Sequence, residues 1–337
     1  MKLPTIMRLL KKVSLMLLTA LVTVLIVEFL VRQFSPIYYP IIPASFEYDQ
    51  ELAARLKPNA HMFQTIDFQQ ESQTNRLGTS NFQESFDDYE SLIFTVGDSY
   101  TQGLGVPADM SYPAQLDLIL NQNEQGFYIK KFGVVNLGVS GYGGEQELRS
   151  LQRWSAQLRS PSVILYLGCD NDFADDLMFK SGYRHQTVIA GSPVWGRMTT
   201  PLRMLLEHSQ IAQKMRTALL RQKRRQVSEE ALKRVGKTTS VAELELSVLD
   251  RLASFAREKS SLLIVSWSDE NDSYYWLKAW ASQNGIAFAD WASKANSVRA
   301  AIPALPLDNP HSTGHHRGWT NYTIASEFAR QIRASRR

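Results

Sequence analysis

A single cysteine, Cys169, stands among 337 residues. It excludes an intrachain disulfide and any cysteine-rich zinc site, so neither kind of staple holds this chain together. A strong excess of one charge is also missing. The 37 Lys and Arg residues against 33 Asp and Glu leave a formal net charge of +4, a mild imbalance that makes no electrostatic case for nucleic acid. Internal repeats and low-complexity tracts are absent, which removes solenoid and array architectures. No His/Glu cluster has the spacing of zinc ligands. The adjacent His315 and His316 lack a supporting ligand pattern, so neither a metal nor another cofactor is expected.

What remains is ordinary globular material, 44% hydrophobic and 21% charged, in a chain long enough to bury a sizeable core. The amino terminus departs from it. Lys2, Arg8, Lys11 and Lys12 precede an apolar run from Val13 to Val31 in which Glu28 is the one charge. A helix crossing a hydrocarbon core needs about 20 residues, and the run just meets this. Basic residues stay on the cytoplasmic side, so the rest of the chain is expected outside. A cleaved signal peptide has a shorter apolar core and a small-residue cleavage motif. Here bulky Phe29, Leu30, Val31 and Arg32 follow instead, and an uncleaved anchor is the preferred reading. A buried core helix fits the basic flank poorly. Residues 1–12 are thus read as cytoplasmic, 13–31 as the transmembrane anchor, and 32–90, with Pro36, Pro40, Pro43 and Pro58, as a linker and irregular lead-in packed on the main domain.

From Ser91 a repeating pattern begins. The short apolar runs SLIFTV (Ser91–Val96), GVVNLG (Gly133–Gly138), SVILYLG (Ser162–Gly168), SLLIVSW (Ser261–Trp267) and IAFAD (Ile286–Asp290) read as buried strands. Helices are expected over Tyr112–Asn121, Glu145–Leu158, Tyr274–Gln283 and Trp319–Ile332. Alternating strands and helices predict a parallel sheet covered on both faces, with functional groups at the carboxyl ends of its strands. A helical insertion is expected at about 201–259. Its Arg216, Arg221, Lys223, Arg224 and Arg225 read first as a solvated face and second as a contact for anionic lipid or acidic polysaccharide.

The strand ends carry the chemistry. The first ends in Gly97-Asp98-Ser99, a tight turn that presents a hydroxyl near a helix N-terminus. Gly138 follows the second strand, and Gly168-Cys169-Asp170-Asn171-Asp172 closes the third. Late in the chain, Asp308 stands three residues before His311, the spacing at which a carboxylate can hold an imidazole. Each signal is weak alone; their order after successive strands is not. The α/β-hydrolase elbow Gly-x-Ser-x-Gly is absent around Ser99, where Tyr100 and Thr101 follow.

FTVGDSYTQGLGV (Phe94–Val106), NLGVSGYGG (Asn136–Gly144), YLGCDND (Tyr166–Asp172) and the Asp308/His311 pair together resemble the four blocks of the SGNH/GDSL hydrolase superfamily. YDQELAARLKPN (Tyr48–Asn59) is similar to the lead-in of membrane-anchored bacterial members, some of which act on surface polysaccharides. The resemblance spans Ser91 to the carboxyl terminus apart from the insertion. It implies a flavodoxin-like α/β/α sandwich over 91–337, with Ser99 as nucleophile and His311 as base, oriented by Asp308. It implies an oxyanion hole of the Ser99 backbone, Gly138 and Asn171. The third block departs from the usual Gly-x-Asn-Asp by one intervening residue, and the last is crowded by His315 and His316, read as structural. Three functions then compete: an ester hydrolase outside the bacterial inner membrane, removing acetyl groups from a glycan; an O-acyltransferase for exopolysaccharide; and a tethered, non-catalytic glycan-binding protein. The expected partners are an acylated small molecule, lipid or glycan, and the membrane, but no nucleic acid.

Overall fold

The computed structural model describes residues 3–34, 46–65, 69–123, 125–180, 209–212, 241–309 and 314–335, with isolated positions at 214, 215, 218, 222 and 226. Helix α1 (Leu3–Phe34) contains the apolar run, and its segment Leu10–Phe34 is long and apolar enough to cross a membrane. Thr19 and Thr23 return their hydroxyls to the carbonyls of Leu15 and Thr19, so neither leaves a polar group stranded on an apolar surface. Glu28 is paired with Arg32 and also accepts from Ser209 Oγ and from the backbone N–H groups of Gln210 and Ile211, at 2.7–3.1 Å. The one acid of the run therefore caps a helical turn of the predicted insertion. Of that insertion, α6 (Val241–Glu258) is a regular helix. Arg216, Arg221, Lys223, Arg224 and Arg225 lie outside the described residues.

The stretch expected to be irregular contains two antiparallel hairpins, β1 (Phe46–Asp49) with β2 (Ala53–Leu56) and β3 (His61–Thr65) with β4 (Gln69–Gln73). They escaped the period-two reading because each strand is only four or five residues long. The first hairpin is docked on α4 (Gly144–Gln157) and on the loop before it. Leu52 and Leu56 pack with Val139 and Tyr142, Tyr142 donates to the Ala54 carbonyl, and Arg153 grips Asp49 with two bonds of 2.6 and 2.9 Å. Burial opposes ionisation of Asp49, yet Arg153 and two backbone N–H groups hold it down at about 2.

The main sheet is parallel and runs β6-β5-β7-β8-β9, from β5 (Ser91–Gly97), β6 (Phe132–Asn136), β7 (Val163–Gly168), β8 (Leu262–Trp267) and β9 (Ala287–Phe288). In order of appearance this is 2-1-3-4-5, the flavodoxin-like winding. β6 and β7 are buried at every residue. Such continuous apolar runs are what a strand covered on both faces requires. Right-handed crossovers place helices above and below. On one side α3 (Tyr112–Asn121) packs on α9 (Gly318–Ala334), with the Tyr112 and Phe328 rings 5.6 Å apart. On the other, α4 packs with α5 (Asp172–Lys180) and α6. Helices α7 (Asp272–Gln283) and α8 (Trp291–Ala301) complete the carboxyl half. The expected three-layer sandwich is present. On the edge strand β6, Asn81 donates to the Val134 carbonyl and accepts from Asn136 N–H, each at 2.8 Å, and so occupies backbone groups that an open edge would expose.

The reversal of strand order falls between β5 and β7. There the crossovers leave in opposite directions and open a crevice at the carboxyl ends of the strands. Gly97-Asp98-Ser99 ends one of these strands and Gly168 to Asn171 ends the other.

Candidate active site

The turn after β5 forms for local reasons. Gly97 has φ +158°, and a Cβ there would lie 2.1 Å from Thr101 Oγ1 and 2.6 Å from the Leu167 carbonyl, so only glycine fits. Asp98 then caps the short helix α2 (Ser99–Gln102), accepting from Tyr100 N–H at 3.0 Å. Its second oxygen accepts from Ser99 Oγ at 2.9 Å and from Asn171 Nδ2 at 3.2 Å. Asp98 is fully buried, and 7% of Ser99 is exposed. One carboxylate thus links the end of β5 to the end of β7.

The imidazole facing Ser99 belongs to His315. Its Nε2 lies 2.9 Å from Ser99 Oγ, within reach for proton transfer. His316 is turned away. Its Nδ1 is 2.7 Å from Asp308 Oδ1 and its Nε2 is 2.7 Å from the Ser268 carbonyl. Both ring nitrogens thus meet oxygens. The Tyr100 ring packs against both histidines, at 5.1 and 4.9 Å between centroids, and its hydroxyl donates to the Gly314 carbonyl. The indole of Trp291 closes on His316 from the other side, at 5.4 Å.

The candidate residues therefore stand as follows. Ser99, Asn171 and Gly138 are brought to one sheet edge. His311 lies outside the described residues. Asp308, expected behind His311, is bound to His316 instead, because the two form an antiparallel bridge across the loop. A backbone bridge brings residues of any spacing together, which counting three positions along a chain does not capture. Gly138 packs so closely on α2 that a Cβ would meet Gln102 N at 2.2 Å, and its N–H donates to Asn136 Oδ1 at 3.0 Å. Asn171 donates to Asp98 and, at 2.9 Å, to Asp175. Asp170 points elsewhere, accepting from Trp267 Nε1 at 2.9 Å and from Asn271 Nδ2 at 2.7 Å.

No family model matches the sequence, and no curated protein matches it. Solved structures do. A member of the lipolytic protein G-D-S-L family from Veillonella parvula aligns at 13% identity over 70% of this chain and 94% of its own, with a TM-score of 0.36. TesA aligns at 14% over 72% and 98%, with a TM-score of 0.38. AlinE4, an SGNH-hydrolase family esterase, aligns at 14% over 73% and 96%, with a TM-score of 0.31. The neighbours are GDSL and SGNH proteins.

Beneath the site lies a group of acids that sequence reading missed. Asp172, Glu147, Asp176 and Glu245 are all buried. Burial, then the charges of Asp172 and Asp98, push the Glu147 carboxyl well above the usual range, and burial raises Asp172 likewise. Burial pushes Asp176 and Glu245 up to about 7. Neither oxygen of Glu147 has a hydrogen-bond partner among the described residues. At such positions a carboxyl is held neutral rather than ionised. Asp98, Cys169 and Asp172 bring two carboxylates and a thiol within 4.8 Å of one another. Each already has partners within the chain: Cys169 Sγ donates toward Asp172 and Asn171 at 3.0 Å, and Asp172 accepts from Cys169 N–H at 2.9 Å. Burial and the neighbouring carboxylates raise the thiol well above its usual range. The trio thus serves as an internal brace of the turn.

Proposed function

We propose that this chain is a serine-dependent ester hydrolase of the SGNH type. The observation that carries the reading is the 2.9 Å approach of His315 Nε2 to Ser99 Oγ, at the switch point of a doubly wound sheet. Ser99 is the nucleophile. His315, rather than His311, is the base. It takes the hydroxyl proton as Oγ bonds to the carbonyl carbon, and it returns that proton to the alcohol oxygen as the ester C–O bond breaks. Water then attacks the acyl-serine by the same route in reverse. The Ser99 and Gly138 N–H groups and the Asn171 amide are assigned to the oxyanion. To reach it, the Gly138 N–H must leave Asn136 Oδ1 and Asn171 must exchange a carboxylate partner, and donors in resting sites commonly tighten only on the bound state. Asp308 acts through His316 as a positioning residue: it anchors the loop that carries His315.

The natural ester is read as an acyl group on a glycan, with the domain held outside the cytoplasmic membrane by α1. The basic residues before the span support this topology. The test is a fluorophosphonate probe on the full chain in detergent. It should label Ser99 in the wild type and lose its target in both Ser99→Ala and His315→Ala. Labelling of another serine, or undiminished labelling of His315→Ala, rejects the assignment.

A further inference from the structure

A second recess adjoins the site and has no part in the acyl chemistry. It is a cavity of about 580 Å³ between the ends of β7 and β8 and the start of α7, with Cys169, Asp170, Phe173, Glu245, Asp272 and Trp276 among its lining residues. This size falls within the roughly 300–1,000 Å³ of small-molecule sites. Cys169 forms the boundary with the catalytic crevice: its Sγ is 3.0 Å from Asn171 Oδ1, and Asn171 in turn reaches Asp98 beneath Ser99. A ligand in the cavity is therefore a near neighbour of anything acylating Ser99.

The lining has a definite chemistry. Trp267 is held rigidly, with its ring laid over Gly168, where a Cβ would be 2.5 Å away, and its Nε1 tied to Asp170. Trp267 is itself buried, at 4% exposure, so the open aromatic surface is that of the half-buried Trp276 and Phe173. Three carboxyl groups, of Asp170, Asp272 and Glu245, face this surface, and no Lys, Arg or His is among the described lining residues. Glu245 is only 6% exposed, and its Oε1 has no hydrogen-bond partner among the described residues.

We propose that this cavity is a saccharide subsite that takes a sugar residue bearing hydroxyl or ammonium groups and excludes one bearing a carboxylate. Aromatic faces accept the apolar side of a pyranose or a nearby ammonium. The carboxyl groups accept from hydroxyl and ammonium donors. A uronate would place its negative charge beside the carboxylates of Asp170 and Asp272. The inference deepens the hydrolase reading, since it names the substrate as a neutral or amino-sugar glycan.

The test measures binding to the full chain in detergent, in a Ser99→Ala background so that turnover plays no part. Three probes are titrated and followed by calorimetry: cellotetraose, a glucosamine tetramer and a galacturonate tetramer. The glucosamine tetramer should bind tightest, and the galacturonate tetramer at least tenfold more weakly than either other probe. Adding Trp276→Ala should weaken the glucosamine and cellotetraose complexes at least tenfold, with the thermal unfolding midpoint unchanged, and Trp276→Phe should restore much of the loss. Adding Asp272→Asn should narrow the preference for glucosamine over cellotetraose. No binding by any tetramer at millimolar concentration overturns the proposal, as does strongest binding by galacturonate or indifference to Trp276→Ala. If the tetramers bind as expected while wild-type Ser99 never takes the fluorophosphonate, the hydrolase reading fails and the subsite stands.

Discussion

Replacing Asp176 by Asn should stabilise the protein at alkaline pH and do little at acid pH. Asp176 Oδ1 accepts the Glu145 N–H at 2.8 Å, at the start of α4, whereas Oδ2 is buried without a partner among the described residues. Burial raises this carboxyl from its ordinary 3.8 to about 7. A raised acid stabilises the fold most below its unfolded value and loses that contribution as pH climbs through its folded value. From 3.8 to about 7 the full effect is about 4 kcal/mol at roughly 1.4 kcal/mol per tenfold, of which about 2–3 kcal/mol falls between pH 5 and pH 8. Asn keeps the acceptor for Glu145 N–H and has no proton to lose. Urea unfolding of the detergent-solubilised chain, followed by tryptophan fluorescence at pH 5, 6, 7 and 8, reads the difference directly. The wild-type midpoint should fall across this range, and the variant midpoint should fall less, so that the two curves separate as pH rises. Parallel curves, or a variant that is less stable at pH 8, would show that Asp176 is already solvated or paired and would refute the reasoning.

The remaining predictions concern the site and its setting. His315→Ala should lower kcat by about a hundredfold or more on a p-nitrophenyl ester; His316→Ala should instead lower the unfolding midpoint, since it removes the bonds to Asp308 and Ser268. Asn171→Ala should reduce kcat on the same ester far more than it raises KM, and an unchanged kcat removes Asn171 from the oxyanion hole. Gly97→Ala should cost about 3 kcal/mol or more, because its Cβ would overlap Thr101 and the Leu167 carbonyl; a variant with wild-type urea resistance contradicts this. A periplasmic reporter fused after Arg337 should be active and a cytoplasmic one silent, and the opposite pattern reverses the topology.

Much of the architecture was legible because periodicity is local. The strands of the main sheet, its alternation with helices and the apolar run of α1 all declare themselves in consecutive residues. So does the Gly97-Asp98-Ser99 turn, since a glycine, a capping acid and a hydroxyl next to one another impose their own geometry. The short hairpins of residues 46–73 were not legible, and the first is held by docking on Tyr142, Gln146 and Arg153, far along the chain. The partner of Ser99 was likewise a tertiary decision. Three histidines compete within six residues, and spacing from Asp308 favoured His311. In the folded chain the Asp308–His316 bridge, the Tyr100 ring and the Ser268 carbonyl together fix His316 and leave His315 facing Ser99. The buried acids were hidden for the same reason. Asp172, Asp176, Glu147 and Glu245 look like ordinary surface residues of helices, and only the stacking of α4, α5 and α6 on one face of the sheet removes them from water. Sequence alone thus determined which groups could do chemistry at each strand end; packing determined which imidazole meets which oxygen, because that choice depends on contacts between segments that share no local pattern.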